Sequence, residues 1–289
     1  MYTDSLGQRW YKIGLHIHTT LSDGTKSPEE AAMIYKNAGF DAIAITDHWQ
    51  YHQTDEIAGL KIISGCEYNI GGTDSSHCVM HIVGVGMTEA PSLSQQSAAQ
   101  KIIDSINQAG GLAILAHPAW SLNNVQDVQH LSGFGATEIY NTVSDVNQSS
   151  RPYSGYFVDI LANAGIVYPL LATDDVHYYD GNDETKSYIM VKASDLSDAA
   201  ILQAVRDGAF YATQGPELYV SREGEKIILR CTPCVKIMFL SNAVWAPDKI
   251  LRGENLTYAE YPLKDFEKWV RVEVVDHEGR YGWSNIILR

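Results

Sequence analysis

YKIGLHIHTTLSDGTKSPEEAAMIYKNAGFDAIAITDH, residues 11–48, decides how the rest of the chain is read. It opens on a β-type run in which Ile13, Leu15 and Ile17 alternate with His16 and His18, so the two imidazoles share one face. Ser27-Pro28-Glu29-Glu30 then reads as an N-cap, a proline at the first helical position and a capping-box glutamate. Ala31, Ile34, Tyr35 and Ala38 supply a helical stripe, and Gly39 stops it. The apolar run FDAIAITDH follows as a second strand. Strand, helix and strand in this order predict a parallel pair joined by a crossover helix.

The same alternation continues to about residue 213. KIISGCEY, HCVMHIVGVG, GLAILAHP, TEIYN and VYPLLATDDVH read as five further strands. The segments Gln95–Ala109, Tyr156–Ala164 and Asp198–Asp207 read as helices, each followed closely by Gly. Seven strands alternating mostly with helices predict an α/β fold with a parallel sheet, most simply closed into a TIM-like barrel. After Gly215-Pro216 the pattern changes to LYVSREGEKIILRC, VKIMFLSN, LTYAEYPL and WVRVEVVDHEGRYGWSNIIL. These alternate with a period of two and carry turn signals at Arg222–Lys226 and His277–Arg280, predicting a small antiparallel β domain. The expected division is 1–214 for the barrel and 215–289 for a sandwich-like module.

Composition narrows the function classes. Of 289 residues, 45% are hydrophobic and 19% charged, which supplies a core and excludes general disorder. The formal net charge of −14 argues against a dedicated binder of long nucleic acid. No apolar run approaches the ~20 residues of a membrane helix, and the start has no signal-peptide core, so the expectation is a cytoplasmic protein. The four cysteines are too sparse for a disulfide scaffold. Cys231 and Cys234 form a CxxC without a second pair or nearby His, and are read as structural, reduced thiols.

The polar residues of the first part fall where strands end. His16 and His18 close the first strand, with Asp23 in the following turn. Thr46-Asp47-His48 closes the second, Glu67 the third, and His77 and His81 lie in the fourth. His117-Pro118 closes the fifth, and Asp174-Asp175-Val176-His177 the seventh. The C-terminal ends of barrel strands are where such folds build active sites. Imidazoles and carboxylates without thiolate suit Zn, Mn or Fe. A single His is usually a surface or hydrogen-bonded residue; the joint placement carries the metal reading. His52, His130 and His277 are read as ordinary histidines, with His52 close enough to the end of the second strand to serve as a proton donor. Asp47 and Asp174 are read as groups that orient ligands, and His81 is preferred over His77.

HxHTxxSDG, SPEEAA…AGFDAIAITDH, the isolated Glu67, HIVGVG, GGLAILAHP, EIYN and DDVH stand in the order seen in PHP (polymerase and histidinol phosphatase) domains, which residues 11–213 resemble. The resemblance implies a distorted seven-stranded β/α barrel with two or three metal ions, in a family whose characterised members mostly hydrolyse phosphate esters. It implies a first metal site at His16, His18, Glu67 and Asp175, with Glu67 bridging to a second at His81 and His117. Asp23, His48 and His177 match the third. The run Phe210–Pro216 followed by a β module resembles two-domain members described as predicted phosphoesterases.

The expected activity is therefore hydrolysis of a small phosphomonoester, by a hydroxide that two ions share and acidify. Asp47 and His52 are candidates for the leaving-group proton, and Arg151 for clamping the phosphate. Other readings of the same residues are a phosphodiesterase or exonuclease on short nucleotides, a carboxyl or carbamate ester hydrolase, and a non-catalytic metal-bound sensor.

Overall fold

The structure is a computed structural model, and it describes residues 1–3, 7–71 and 79–289. Besides the two-residue strands Tyr2–Thr3 and Glu56–Ile57, the strands of the site-bearing part are β1 Arg9–Gly14, β2 Ala42–Ala44, β3 Leu60–Ile63, β4 Gly65–Ile70, β5 Met80–Val85, β6 Leu112–Leu115, β7 Phe134–Asn141 and β8 Leu170–Thr173. Two further strands, β9 Tyr188–Lys192 and β10 Phe210–Thr213, lead into the C-terminal strands β11 Leu218–Glu223, β12 Lys226–Ser241, β13 Ile250–Pro262, β14 Trp269–Val275 and β15 Tyr281–Trp283. The helices are α1 Pro28–Asn37, α2 Ala99–Gln108, the single turn α3 Val125–Val128, α4 Gly155–Asn163 and α5 Asp198–Arg206.

Local chemistry explains α1. The Ser27 hydroxyl accepts from the Glu30 N–H (3.2 Å), and the Glu30 carboxylate accepts from the Ser27 N–H (2.9 Å). Ala31, Ala32 and Tyr35 form its buried face. The expected stripe is shifted by this: Ala38 is the exposed C-cap, and Ala32 takes the buried place.

The parallel sheet is only partly realised. β1, β2 and β3 pair in parallel, as do β6, β7 and β8. β5, however, runs antiparallel to both β4 and β6. β4 ends at Ile70 and β5 begins at Met80, a spacing shorter than the dozen or more residues that a parallel crossover needs, and the two strands accordingly pair antiparallel. The two sheets meet at their strand ends. Isolated bridges join His48 to Glu67 and Ile17 to Val176, giving an arrangement consistent with a distorted barrel. Ile13, Leu15, Ile82, Val83, Ile114, Ile139, Leu171 and Trp283 are among the residues of its main apolar core.

The C-terminal strands continue the first sheet. β10 pairs with β15 through Ala212–Trp283 and Thr213–Gly282, and β15 leads through β14 and β12 to β11. A second apolar cluster joins Leu218, Ile227, Phe239, Tyr261 and Val272 to Trp10 and Tyr211 of the first part. LYVSREGEKIILRC and VKIMFLSN are not separate units as expected. Residues 226–241 form one strand whose register shifts between Arg230 and Lys236. Pro233 has no N–H to donate, so the ladder bulges there instead of ending.

Candidate metal centre

Strand ends aim nine side chains at one place. His16 and His18 extend beyond β1 and are held by backbone bonds to the segment after β8: Asp175 N–H donates to His16 O, and His18 N–H to Val176 O. Alternation keeps both imidazoles inward while Ile17 pairs with Val176. Glu67 lies in β4, His81 in β5, and His48 bridges to Glu67. Three residues reach the site through left-handed backbone: Asp175 (φ 53°), His117 (φ 25°) and the neighbouring Trp49 (φ 56°). Such conformations are costly for non-glycine residues and persist where the surroundings impose them.

Three groups of possible ligands result: His16, His18, Glu67 and Asp175; Glu67, His81 and His117; and His18, Asp23, His48 and His177. Glu67 divides its oxygens between the first two. Its Oε2 stands 3.2 Å from His16 Nε2 and 3.0 Å from His18 Nε2, while Oε1 stands 2.8 Å from His81 Nδ1 and 3.4 Å from His117 Nε2. Asp175 Oδ1 is 3.1 Å from both His16 Nε2 and His18 Nε2. In the third group, Asp23 lies 3.5 Å from His18 and His177 and 3.6 Å from His48. Asp23 is the exposed member, at 54% of its side chain, and marks the solvent side.

The fit to metal ions can be tested on the polar atoms themselves. His16 Nε2, His18 Nε2, His48 Nδ1, Glu67 Oε2 and Asp175 Oδ1 are all buried and have no hydrogen-bond partner. Five such atoms converging on one point would be expensive in an ordinary core. Donors about 2.0–2.2 Å from a shared ion stand roughly 3.0–3.5 Å apart, which is the spacing seen. The residues fit divalent cations.

Electrostatics points the same way. Burial opposes protonation of His16, but Asp175, Glu67 and Glu138 outweigh it and hold its pKa well above the ordinary value. His18, also buried, is pushed up to about 9 by Asp175 and Glu67. Burial would raise Glu67, yet His16, His81 and His48 bring it far below the carboxylate range. Asp175 is lowered in the same way by His16 and His18. His48 is lowered, mainly by burial. Without an ion, protons on the imidazoles balance the buried carboxylates; a cation would replace them.

The other sequence candidates fall outside this cluster. Asp47 is fully buried and accepts from the Thr19 N–H, Thr19 hydroxyl and Ser22 hydroxyl, each at 2.7 Å, so it braces the Thr19–Asp23 turn. Asp174 accepts from Tyr35, Ser187, Lys186 and Thr142 and pins the end of β8. His52 pairs its backbone with Gly65, and burial lowers its imidazole pKa. Arg151 is exposed on the loop before α4 and forms no ion pair among the described residues. His130 and His277 are exposed. His77 lies outside the described residues.

Sequence reasoning passed over Glu138 and Trp120. Glu138 Oε1 meets His16 Nδ1 at 2.7 Å, and its Oε2 accepts from the His117 N–H at 2.9 Å. The signal was available: TEIYN has a lone carboxylate inside an apolar run, and every other strand had already delivered a site residue. The Trp120 ring lies 4.9 Å from that of His117 and 5.4 Å from that of His81. Nothing in its sequence neighbourhood distinguishes it from a packing residue.

A mixed α/β fold that gathers imidazoles and carboxylates at its strand ends is what a PHP domain would present, and residues 14–134 match the PHP domain family model. The match covers the segments that carry His16, His18, His48, Glu67, His81 and His117. Asp175 and His177 lie beyond the matched span. An uncharacterized protein of Methanocaldococcus jannaschii is 29% identical over 118 residues, which is 37% of this chain and 67% of that protein. A Bacteroides vulgatus structure superposes over 97% of this chain and 96% of its own, with a TM-score of 0.55 at 14% identity. It is described as a two-domain protein containing a predicted PHP-like metal-dependent phosphoesterase, and the likeness extends to the C-terminal strands. Endonuclease Q of Pyrococcus furiosus aligns with 69% of this chain and 56% of its own, at 16% identity and a TM-score of 0.49.

Proposed function

We propose that the protein is a metal-dependent hydrolase of small phosphomonoesters. The carrying observation is the set of five buried, unpartnered donor atoms, all facing one another across Glu67. His16, His18, Glu67 and Asp175 would hold one ion, Glu67, His81 and His117 a second, and Asp23, His48 and His177 a third. Zn, Mn and Fe all suit these donors. Bound there, the ions supply Lewis acidity and a water acidified towards neutral pH.

The chain's own residues set the rest. Glu67 keeps the first two groups in register by giving one oxygen to each. Asp23 faces solvent and would meet an arriving phosphoryl group only with a cation between them, since two anions repel. Arg151 is the cation we assign to the phosphate oxygens. Asp47 accepts three hydrogen bonds from Thr19 and Ser22, so we assign it the bracing of the Asp23 turn. His52 is the remaining side-chain candidate for passing a proton to the leaving group, and it would have to be protonated to do so, against the burial that lowers its pKa. The net charge of −14 disfavours a long polyanion and favours a small substrate.

The test is phosphate release from a panel of phosphomonoesters and nucleotides, using protein stripped of metal and reloaded separately with Mn, Zn or Fe. Release that disappears in Glu67→Gln is the expected result. No release from fully loaded protein would contradict the reading and shift attention to diesters, carboxyl esters and carbamates.

A further inference from the structure

We infer that Glu138 is the positioning residue of the centre: it holds His16 as the Nδ1–H tautomer, leaving Nε2 to take a metal ion, and it steadies Asp175 through Asn141. This rests on the proposed metal role of His16 and Asp175, not on the identity of the substrate.

Glu138 is 1% exposed, and both its oxygens are committed. Oε1 meets His16 Nδ1 at 2.7 Å; Oε2 accepts from the His117 N–H and from Asn141 Nδ2, each at 2.9 Å. The same Asn141 nitrogen donates to Asp175 Oδ2 at 3.1 Å. The orientation of that amide is fixed, because Asn141 Oδ1 accepts from both the N–H and the hydroxyl of Ser144, at 3.1 and 2.7 Å. One buried carboxylate therefore touches the side chain of one ligand and the backbone of a second, and reaches a third through one amide. The His117 N–H that Glu138 accepts belongs to a residue in left-handed backbone, φ 25°, whose Nδ1 meets Ser121 Oγ at 3.1 Å.

The ionised carboxylate is the required chemistry. It presents acceptors only, and its neighbours at Oε2 are donors only. A glutamine of the same shape fails in either orientation. With its oxygen towards His16, its NH2 faces the His117 N–H and the Asn141 NH2, donor against donor. Turned over, its NH2 faces His16 Nδ1 and forces the proton onto Nε2, the atom that points at Glu67 and Asp175. Partners of metal-bound histidines act in this way, and their loss typically lowers metal affinity 10–100-fold.

Two measurements on the full chain test the inference. Zinc affinity, by competition with a chromophoric chelator, should fall roughly 10–100-fold in Glu138→Gln, while metal-free wild type and variant keep the same circular dichroism. In zinc-loaded wild type, long-range proton–nitrogen correlation should show the His16 proton on Nδ1 and a metal-shifted Nε2. Wild-type affinity in Glu138→Gln, or a His16 proton on Nε2 in the loaded wild type, overturns the inference. Should the variant not fold, the wild-type spectrum alone decides. Wild type that takes up no zinc would overturn both this inference and the metal centre beneath it. Absence of phosphatase activity would touch neither readout.

Discussion

Glu67 shows how much one side chain can be asked to do. It is buried to 1%, it carries a charge, and it serves imidazoles on both of its oxygens. The pH dependence of the metal-free protein follows from this crowding. His18 has its pKa raised from 6.5 to about 9, so its contribution is complete below pH 6.5 and lost as pH rises through 9. Glu67 and Asp175 are lowered from 4.5 and 3.8, so theirs is present above those values and lost as pH falls. Metal-free protein should thus be most stable near pH 5–6.5 and lose on the order of 3 kcal/mol from His18 alone by pH 9. Urea midpoints at pH 6 and 9, with chelator and with zinc, test this. The alkaline loss should appear only with chelator; an equal loss in both, or none, contradicts the reading. At this scale most of the cluster was legible in the sequence, because the candidate ligands sit within the apolar β-type runs or just beyond them. Glu138 was not singled out, because a carboxylate inside an apolar run reveals its partners only once His16 is placed opposite.

Elements explain where the sequence reading held and where it slipped. The start of α1 was legible because Ser27, Pro28 and Glu30 act locally, whereas its buried face differs from the expected stripe, with Ala32 inside and Ala38 exposed. The direction of β5 was not, since it depends on how short segment 71–79 is, not on the apolar pattern of the strand. The single long strand 226–241 was hidden because Pro233 reads as a break, while the register shift lets pairing resume beyond it. The Thr19–Gly24 turn joins the two levels. A Cβ on Gly24 would sit 2.6 Å from the backbone carbonyl of His18, where no flexible side chain can yield. Gly24→Ala should therefore displace the turn that presents Asp23 and loosen His18. The expected outcome is loss of at least one equivalent of bound metal with the α-helical circular dichroism retained. Unchanged metal content would show that the turn does not set the third group.

Across the whole molecule the C-terminal strands are built into the site-bearing part. Arg271 of β14 is 1% exposed and pairs with Asp159 of α4 through two bonds of 2.7 and 3.0 Å. It also pairs with Glu273 and bonds to Tyr153, which lies on the Arg151 loop. Trp283 of β15 stacks on Tyr140 of β7 at 5.2 Å. Removing Arg271 would leave Glu273 buried without its cation, so Arg271→Ala should cost about 3–5 kcal/mol. The shared sheet predicts a single unfolding transition; two separate transitions, with only the later residues affected by Arg271→Ala, would contradict that coupling. A sequence boundary at 214 could not show it, because β10 and β15 pair across that boundary, Ala212 with Trp283, and no local pattern encodes the pairing. The metal centre is open to a test of its own. Anomalous diffraction from crystals of manganese- or zinc-loaded protein would locate the ions directly. Peaks are expected on both sides of Glu67, within bonding distance of His16, His18 and Asp175 on one side and of His81 and His117 on the other. Fully loaded protein with no peak at Glu67 would contradict the metal centre.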